Sequence, residues 1–424
     1  MLTRPGSSAR LAVITGLLLG CARGPIPPTA DALVVDSAGV SIVTSRIPVW
    51  PKGGGWQVDS QPITVIGADE LDPQQQWRWI EAAARFSDGN VVVGVEGSLR
   101  LFGPDGKFIR ILSRSGDGPG EFRHLEGLLV LPGDSLRAND FMGRRVATYA
   151  PDGTLARDAR LDMARFQALG RWTECQSGLL PDGSRFGCQP DATLAGSPTN
   201  RPNKMISEGW TSPGPGLLRQ LHRIYVVTPG LAAAYPLSID GGIEQFGIAT
   251  SMGEVFVVHP FYSRSVIAAG GTPMRIAIAT NPEYRIEVWS PLGKLERVII
   301  RDGGRRAPTQ TELADAKTSM VRDLERNGRP NQGDILKDVP TPDSLPAVIG
   351  LALTPQGEFL VQREGYLPSQ ATSLWDVYDP TGRWLGELRL PGHCRILSVG
   401  LDYLLAQRRT ADDAWVVEVH RLTR

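Results

Sequence analysis

Short runs of apolar and β-branched residues, separated by tight polar turns, recur along most of the chain. One turn phrase occurs four times: an aromatic residue, a Pro–x–Gly turn, a basic or polar residue and a large apolar one. Proline presets the backbone angle of a turn's first corner, and glycine accepts the positive φ that a hairpin needs. Each copy therefore predicts a hairpin between two strands. The copies span 102–108, 149–155, 289–295 and 378–384.

A second phrase, a tight polar turn leading into an apolar strand, alternates with the first. Residues 86–94 are its cleanest copy, and 399–405 its weakest. We interpret it as the hairpin between the first and second strands of a four-stranded unit, with the Pro–x–Gly turn between the third and fourth. Strand-rich units that recur every few tens of residues are typical of a β-propeller. The other copies span 131–136, 180–186, 250–256 and 354–360.

Together the two phrases predict an all-β, six-bladed β-propeller. The last blade lacks room for its fourth strand, whereas a strand at 56–66 is left over near the other end of the chain. The economical arrangement is that this N-terminal strand completes the last blade and closes the ring, which removes an exposed sheet edge. A strand at 33–44 is expected beside it. The predicted blades span 79–112, 124–161, 172–237, 245–301, 347–390 and 394–424.

Three stretches interrupt the repeats. Residues 189–220 are rich in Pro, Gly, Ser and Asn, and 259–283 form a second predicted insertion. A helical insertion is expected at about 308–328, between blades four and five. There Thr309 and Glu312 form a capping box, and apolar residues follow at helical spacing. We expect a surface helix packed on the propeller; a lid over the central channel is the alternative.

The N-terminus predicts export rather than folded structure. Two arginines precede an apolar stretch too short to span a bilayer, so residues 1–20 are interpreted as a signal peptide. The run Leu-Leu-Gly-Cys that ends at Cys21 resembles a bacterial lipobox, in which the cysteine is lipidated and becomes the mature N-terminus. An ordinary secretory signal is the alternative. Residues 21–32 read as a Pro-rich, lipidated tether. We therefore expect an extracytoplasmic, membrane-anchored lipoprotein, in the periplasm or on the cell surface.

Composition narrows the classes of partner. Among 424 residues, Lys+Arg and Asp+Glu both number 45, so the net charge is zero. This gives no electrostatic reason to bind nucleic acid or an anionic membrane surface. We expect no nucleic-acid partner, and membrane contact through the lipid anchor alone. Glycine (48) and proline (33) are numerous, as a chain of short strands and tight turns requires.

Three further cysteines lie within the predicted propeller. An exported protein resides where disulfides persist. Cys175 and Cys188 flank the turn at 180–183, and they fall opposite each other if the hairpin closes around that turn. A cross-strand disulfide is therefore a candidate, subject to the narrow Cβ spacing it needs. Two free buried thiols are the alternative. Cys394 is interpreted as a buried small hydrophobe.

The run 114–122 follows the last strand of one predicted blade and leads into the next. It resembles the blade connector of NHL-repeat propellers. From residue 33 to 424 the chain resembles more closely the exported, TolB-like six-bladed β-propellers that bacteria encode as lipoproteins. The resemblance implies an architecture and no particular activity, because the fold hosts many. The glycines lack the lysine and helix of a phosphate-binding P-loop, so a backbone crossover explains them. The predicted connector residues are Gly116, Gly118, Gly120, Glu121 and Phe122.

Two motifs raise the question of catalysis. Gly133 to Leu136 spells the Gly-Asp-Ser-Leu signature of an esterase group whose serine needs a strand-to-helix turn. Here it sits in a repeated hairpin turn, so no catalytic residue is predicted. Propeller enzymes of the gluconolactonase type hold a metal in the central channel with Glu, Asn and Asp. The acids and amides near inner strands do not match that family's motifs, so no metal ligand and no cofactor is predicted. They are Glu81, Asn139, Asp140 and Glu364.

The sequence therefore favours a binding or interaction module over an enzyme, acting as a monomer. Aromatic residues at 77–79 and 259–262 lie on predicted loops, where they would suit a protein, peptide or carbohydrate ligand on a propeller face. Packing onto blade edges is the alternative reading of these aromatics. The second candidate is a channel-centred, metal-dependent hydrolase or lactonase. Convergent acids and amides in the central funnel would favour the enzyme, and an apolar or aromatic lining would favour binding.

Overall fold

The repeating unit of the fold is an antiparallel meander of four strands, each paired with the next along the chain. In this computed structural model the strands are numbered β1–β31 in chain order. Sheet 1 contains β5 (Ala82–Arg85), β6 (Val91–Val95), β7 (Ser98–Phe102) and β8 (Phe108–Ser113). Sheet 2 contains β9 (Gly127–Val130), β10 (Leu136–Asp140), β11 (Arg145–Tyr149) and β12 (Leu155–Arg160). Sheet 5 contains β25 (Gly350–Leu353), β26 (Phe359–Glu364), β27 (Thr372–Tyr378) and β28 (Trp384–Pro391).

Three further sheets vary this unit. Sheet 3 contains β13 (Arg185–Pro190), β17 (His222–Val227) and β18 (Ala234–Asp240). Sheet 4 contains β21 (Val266–Gly270), β22 (Arg275–Ala279), β23 (Arg285–Trp289) and β24 (Leu295–Arg301), extended by β2 (Val40–Ser45) and β1 (Ala32–Ser37). Sheet 6 contains β29 (Cys394–Val399), β30 (Tyr403–Arg409) and β31 (Trp415–Thr423), together with β3 (Gln57–Val58) and β4 (Thr64–Ile66).

Smaller elements complete the described part of the chain. Two short sheets are formed by β14 (Lys204–Ile206) with β15 (Gly209–Thr211), and by β16 (Gly216–Leu218) with β19 (Gln245–Thr250) and β20 (Gly253–Val257). The α-helices are α1 (Met163–Ala168) and α2 (Gln310–Arg326), and 3-10 helices span Pro73–Gln75, Pro229–Leu231 and Pro330–Asp338. The molecule is therefore an all-β protein with few helical residues.

The structure describes residues 31–140, 143–169, 180–190, 204–206, 209–211, 216–219, 221–240, 242–250, 253–280, 283–301, 305–326, 330–410 and 414–424. They belong to one compact unit that begins at Asp31. No helix within these ranges is long and apolar enough to cross a membrane.

Both repeated turn phrases lie at hairpins. The Pro–x–Gly turns join the third and fourth strands of sheets 1, 2, 4 and 5, as the pattern predicts. Gly106 shows why glycine is needed there, because its φ is +80° and its amide donates to the carbonyl of Gly103 at 2.9 Å. The polar phrase joins the first and second strands of sheets 1, 2, 5 and 6.

The core lies between neighbouring sheets. Side chains of sheets 1 and 2 form one buried cluster, and sheets 3 and 4, 4 and 5, and 5 and 6 form three others. A further cluster joins sheet 6 to sheet 1, with Leu405 and Val417 packed among Val91, Val93 and Phe102. Five pairs of sheets thus bury apolar residues against each other, and one of these pairs joins the last meander to the first.

The N-terminal strands reach the C-terminal sheet. In the predicted strand at 56–66, Ile66 pairs with Val417 and Thr64 with Val419 of β31, and Ile66 is fully buried. The single strand predicted at 33–44 is instead a hairpin of β1 and β2. β2 pairs in parallel with β24 of sheet 4 rather than beside 56–66. This pairing places Val43 opposite Ile299, and both side chains are buried.

The predicted fourth blade, 245–301, starts at the wrong residue. The turn copy at 250–256 belongs to the small sheet of β16, β19 and β20. Sheet 4 takes its first two strands from 259–283, the stretch interpreted as an insertion. The hairpin of these two strands does not carry the repeated phrase, and Gly270 at the end of β21 is required by packing. A Cβ on Gly270 would come 2.8 Å from the Cβ of Leu353 in the neighbouring sheet.

Candidate functional site

The first strands of the sheets lie next to one another and carry few polar residues. β5 contacts β9, β21 contacts β25, and β29 contacts both β25 and β5. Apart from Arg85, Arg395 and Ser398, the residues of these five strands are apolar or glycine. The residues just before them meet at one end. Glu81 precedes β5 and His124 precedes β9, and Glu81 Oε1 lies 3.2 Å from His124 Nδ1.

A cavity of about 820 Å³ opens beside α2. One wall is a face of α2, and the opposite wall is formed by the segments after β26 and at the end of β30. The lining mixes hydroxyl groups with both signs of charge, which suits a polar ligand. The lining residues are Asp315, Thr318, Ser319, Arg322, Glu325, Arg326, Pro368, Ser369, Arg409 and Thr410.

Two sequence features position α2: the capping box at its start and the apolar face that it buries. Thr309 Oγ1 accepts from the amide of Glu312 at 3.2 Å, and Glu312 Oε2 accepts from the amide of Thr309 at 2.9 Å, which closes the predicted capping box. The hydrogen bonds of Arg306 to the same carboxylate lower the pKa of Glu312 to about 2. α2 buries Ala316 and Met320, so its polar face is left for the cavity.

Cationic side chains lie near this cavity. His393 comes just before β29, one position beyond the pairing of Cys394 with Arg408, which brings it level with Arg409 of the cavity wall. Its ring is bonded through Nδ1 to the carbonyl of Gly365. Arg395 lies two residues further on, and Arg264 acts electrostatically on His393 from the start of β21.

Two of the acids considered as metal ligands, Asp140 and Glu81, accept hydrogen bonds from backbone amides. Asp140 Oδ2 accepts from the amides of Arg123 at 2.8 Å and His124 at 3.1 Å, and Glu81 Oε2 accepts from the amide of Gly97 at 2.9 Å. These carboxylates hold the connectors between strands. Asn139 donates to Glu126, and Glu364 ends β26. No group of three or more His, Cys, Asp or Glu with the arrangement of a metal site occurs in the part of the chain that the structure describes.

The predicted blade connector folds around one carboxylate. Glu121 Oε2 accepts from the amide of Gly118 at 2.8 Å, and a Cβ on Gly116 would come 2.2 Å from that oxygen. Gly120 has a φ of +72°, which only glycine adopts readily, and Phe122 is fully buried between sheets 1 and 2. The geometry gives each of these residues a place in the crossover between two sheets.

The loop aromatics are mostly packed inside. The ring of His259 lies 5.2 Å from that of Phe261 and 5.3 Å from that of Tyr262, and all three are buried. Burial lowers the pKa of His259 to about 4, so the ring is neutral at pH 7. Trp77 donates to the carbonyl of Trp415 at 2.9 Å, while Trp79 is 45% exposed. Packing onto the sheets accounts for the 259–262 group.

The remaining candidate residues are Ser135 and the four cysteines, of which two lie within the described residues. Ser135 lies in the hairpin turn between β9 and β10, and its carbonyl accepts from the amide of Leu131 at 2.8 Å. Cys188 is buried and disulfide-bonded, and Cys394 is a buried free thiol. Residues 1–30, with the predicted signal peptide and Cys21, lie outside the described residues, as does Cys175. The pairing of Cys175 with Cys188 therefore stays a prediction.

Sequence reasoning missed the cationic group. Arg264 lies far from His393 and Arg395 along the chain, and none of the three residues belongs to a sequence motif. One signal in the sequence could have indicated it. Arg395 lies in the first strand of sheet 6, whereas the first strands of sheets 2 and 5 carry no charged residue.

Comparison with known proteins adds distant structural likenesses. No protein-family model matches the chain, and no curated protein matches it. A solved protein from Bacteroides fragilis, named as an exported protein, is 12% identical over 90% of this chain and 100% of its own, with a TM-score of 0.44. A member of the DUF4221 family from Bacteroides vulgatus is 9% identical over 87% and 99%, with a TM-score of 0.44. A gluconolactonase from Xanthomonas campestris is 13% identical over 81% and 87%, with a TM-score of 0.37. At this level of overlap no activity is carried over.

Proposed function

We propose that this protein is an exported, lipid-anchored, six-bladed β-propeller that acts as a monomeric binding module, with the cavity beside α2 as its ligand site. The protein would display that cavity outside the cytoplasm on a lipid anchor at Cys21. Its ligand would be a small polar molecule, or the polar end of a peptide or carbohydrate.

The order of buried clusters supports the six-bladed ring. Apolar contacts run from sheet 3 through sheets 4, 5 and 6 to sheets 1 and 2. The contact of sheet 6 with sheet 1 brings together the first and last sheets along the chain, as the closing of a ring requires. The pairing of β4 with β31 supplies the strand that the last blade would otherwise be missing.

The cavity beside α2 is the observation that carries the binding role. Its walls come from rigid elements, a helix on one side and the ends of sheet strands on the other, which is how preformed ligand sites are built. An apolar lining favours binding over catalysis, and the first strands of sheets 2, 4 and 5 consist of apolar residues and glycine. A hydrolase would instead place convergent acids and amides there.

Filling the cavity tests the binding role. Ser319 lines the cavity on α2, whereas Ala314 is exposed on the same helix and is not part of the lining. We expect mature protein to bind at least one class on an array of cell-envelope glycans and peptides. The Ser319→Trp variant should lose that signal, and Ala314→Trp should keep it. Equal binding by all three proteins would contradict the proposed site.

Metal analysis tests the enzyme alternative. Purified protein would be assayed for calcium and zinc, and for hydrolysis of sugar lactones before and after chelation. We expect no lactone hydrolysis that depends on a bound metal. Stoichiometric metal, with activity lost on its removal, would replace the binding module by a lactonase.

Membrane anchoring is tested separately. We expect the Cys21→Ser variant to be released from membranes of expressing cells, while wild-type protein stays with the membrane pellet after a high-salt wash. Retention of the variant would contradict the lipoprotein assignment and leave the cavity proposal unaffected.

A further inference from the structure

Arg395 is a cation without an acidic partner. Its side chain is reached by solvent, yet protein surrounds it closely enough that burial lowers the pKa of its guanidinium. No carboxylate among the described residues pairs with it. A charged side chain in a concave setting normally has a counter-ion. Arg395 therefore has donors available to an anion from outside the chain.

His393 offers a second donor. A carbonyl oxygen can only accept, so the bond to Gly365 fixes the proton of the imidazole on Nδ1. Its Nε2 has no partner in the described ranges, and solvent reaches the residue although protein surrounds part of the ring. In the neutral ring Nε2 is an acceptor; in the protonated ring it becomes a charged donor. Burial, with a contribution from Arg264, lowers the pKa of His393, so an anion bound beside it would restore the proton.

The surroundings of His393 are cationic from every neighbouring strand. Arg264 faces it from the start of β21, Arg395 follows it on β29, and Arg409 lies level with it on β30. Glu364, which precedes the Gly365 carbonyl bonded to His393, acts on Arg306, Arg363 and Tyr366. Arg395 carries a charge that no described carboxylate pairs with, and Arg264 adds to the positive potential at His393, while Asp315 and Glu325 line the adjoining cavity. An anionic group is therefore the ligand that Arg395 and His393 favour.

We propose that Arg395 and His393, with Arg264 behind them, form a subsite for an oxyanion, the carboxylate or phosphate group of the ligand bound in the adjoining cavity. This inference rests on the proposed function, because it names the chemistry of that ligand. Guanidinium groups bind such oxyanions with paired, charge-assisted hydrogen bonds. The cavity beside α2 would hold the rest of the molecule.

Two probes separate the sources of the oxyanion. Mature protein would be titrated with inorganic phosphate and with glucuronate at constant ionic strength, using calorimetry and a sodium chloride blank. Arg395→Gln should weaken binding of the preferred probe by about tenfold, the worth of a charge-assisted hydrogen bond. Arg389→Gln is the matched control, because Arg389 is an exposed arginine on the outer strand β28. It should bind within about twofold of wild type.

The pH dependence isolates His393. The carboxylate of glucuronate stays ionised from pH 5.5 to 8, so any change in affinity belongs to the protein. Wild type should bind it more tightly at pH 5.5, and His393→Gln should bind it equally at both values. Wild-type affinity in Arg395→Gln, or equal losses in Arg395→Gln and Arg389→Gln, would overturn the subsite. If Ser319→Trp still abolishes the array signal in that case, the binding module stands and only the oxyanion assignment fails.

Discussion

Asp376 and Arg395 lie in adjacent sheets and meet opposite electrostatic surroundings. Asp376, in β27, is fully buried; Tyr284 donates to its Oδ2 at 2.7 Å, and Arg363 Nε lies 2.9 Å from the same oxygen. Arg301 adds a second guanidinium, which also stacks 3.8 Å from the ring centroid of Trp384. Arg395 has no such partner in the part of the chain described. The buried charge of Asp376 is paired and structural, whereas the solvent-accessible charge of Arg395 has no described carboxylate beside it, which is the basis of the proposed oxyanion subsite.

The largest expected effect is on the paired cluster. The Asp376→Asn substitution keeps the shape of the side chain but removes the buried carboxylate that Arg301 and Arg363 share. Breaking a buried ion pair from one side should lower the free energy of unfolding by about 3 kcal/mol. Urea unfolding measures it. Glu387→Gln, which removes the exposed partner of Arg363, should cost less than about 1 kcal/mol. Similar losses in the two variants would mean that burial does not distinguish them.

A second paired cluster should show itself in acid. Burial disfavours the charge of Glu418, but hydrogen bonds from His420 and Arg408 outweigh it and lower the pKa of the carboxyl to about 2. The stability this carboxylate contributes is present above its unfolded pKa of about 4.5, and it is lost as the pH falls toward 2. We expect Glu418→Gln to be about 2 kcal/mol less stable at pH 7, with a shallower decline between pH 4.5 and 2. Parallel acid-denaturation curves would count against the pairing.

The buried His259 predicts a loss of stability at a different pH. Its pKa is lowered to about 4, while the unfolded ring titrates near 6.5, so the unfolded chain binds the proton first. Wild type should therefore lose about 1–2 kcal/mol between pH 7 and 5 from this residue. His259→Asn keeps an acceptor for the amide of Phe261 and does not titrate. Its melting temperature should fall less over that interval; an unchanged slope would show that the ring is not held neutral.

The smallest effect should come from the unpaired cation. Removing Arg395 breaks no ion pair among the described residues. The free energy of unfolding of Arg395→Gln should therefore lie within about 0.5 kcal/mol of that of wild type. Chemical denaturation at low and moderate salt checks this. A loss comparable with that of Asp376→Asn would reveal an acidic partner and erase the contrast between the two clusters.

The sequence predicts local features well because turns are local. Pro104 and Gly106 locate one hairpin unambiguously, and Thr309 with Glu312 locates the start of α2. The parallel pairing of Val43 with Ile299 joins residues that no periodicity relates. The sequence places the start of the fourth blade too early, because the turn phrase at Gly253 belongs to the small sheet of β16, β19 and β20. The hairpin of β21 and β22 carries no such phrase, and its Gly270 is required by packing against Leu353.

The candidate site was harder to predict for a related reason. Ligand groups in such a molecule come from the ends of separate strands, so their spacing along the chain carries no signal. Glu81 and Asp140 are ligand candidates by residue type, yet Glu81 Oε2 accepts from one backbone amide and Asp140 Oδ2 from two. Only the pairing of β29 with β30 shows that His393 lies level with Arg409.

The pairing of β4 with β31 has a consequence for the order in which the protein can fold during synthesis. Thr64 to Ile66 pair with Val417 to Val419, which are synthesised long after them. Until β31 has been made, the side chain of Ile66 lacks the strand against which it is buried. Sheet 6 therefore cannot be completed while the chain is still shorter than β31. Premature termination before Trp415 would then yield a product that never matures, rather than a smaller working protein.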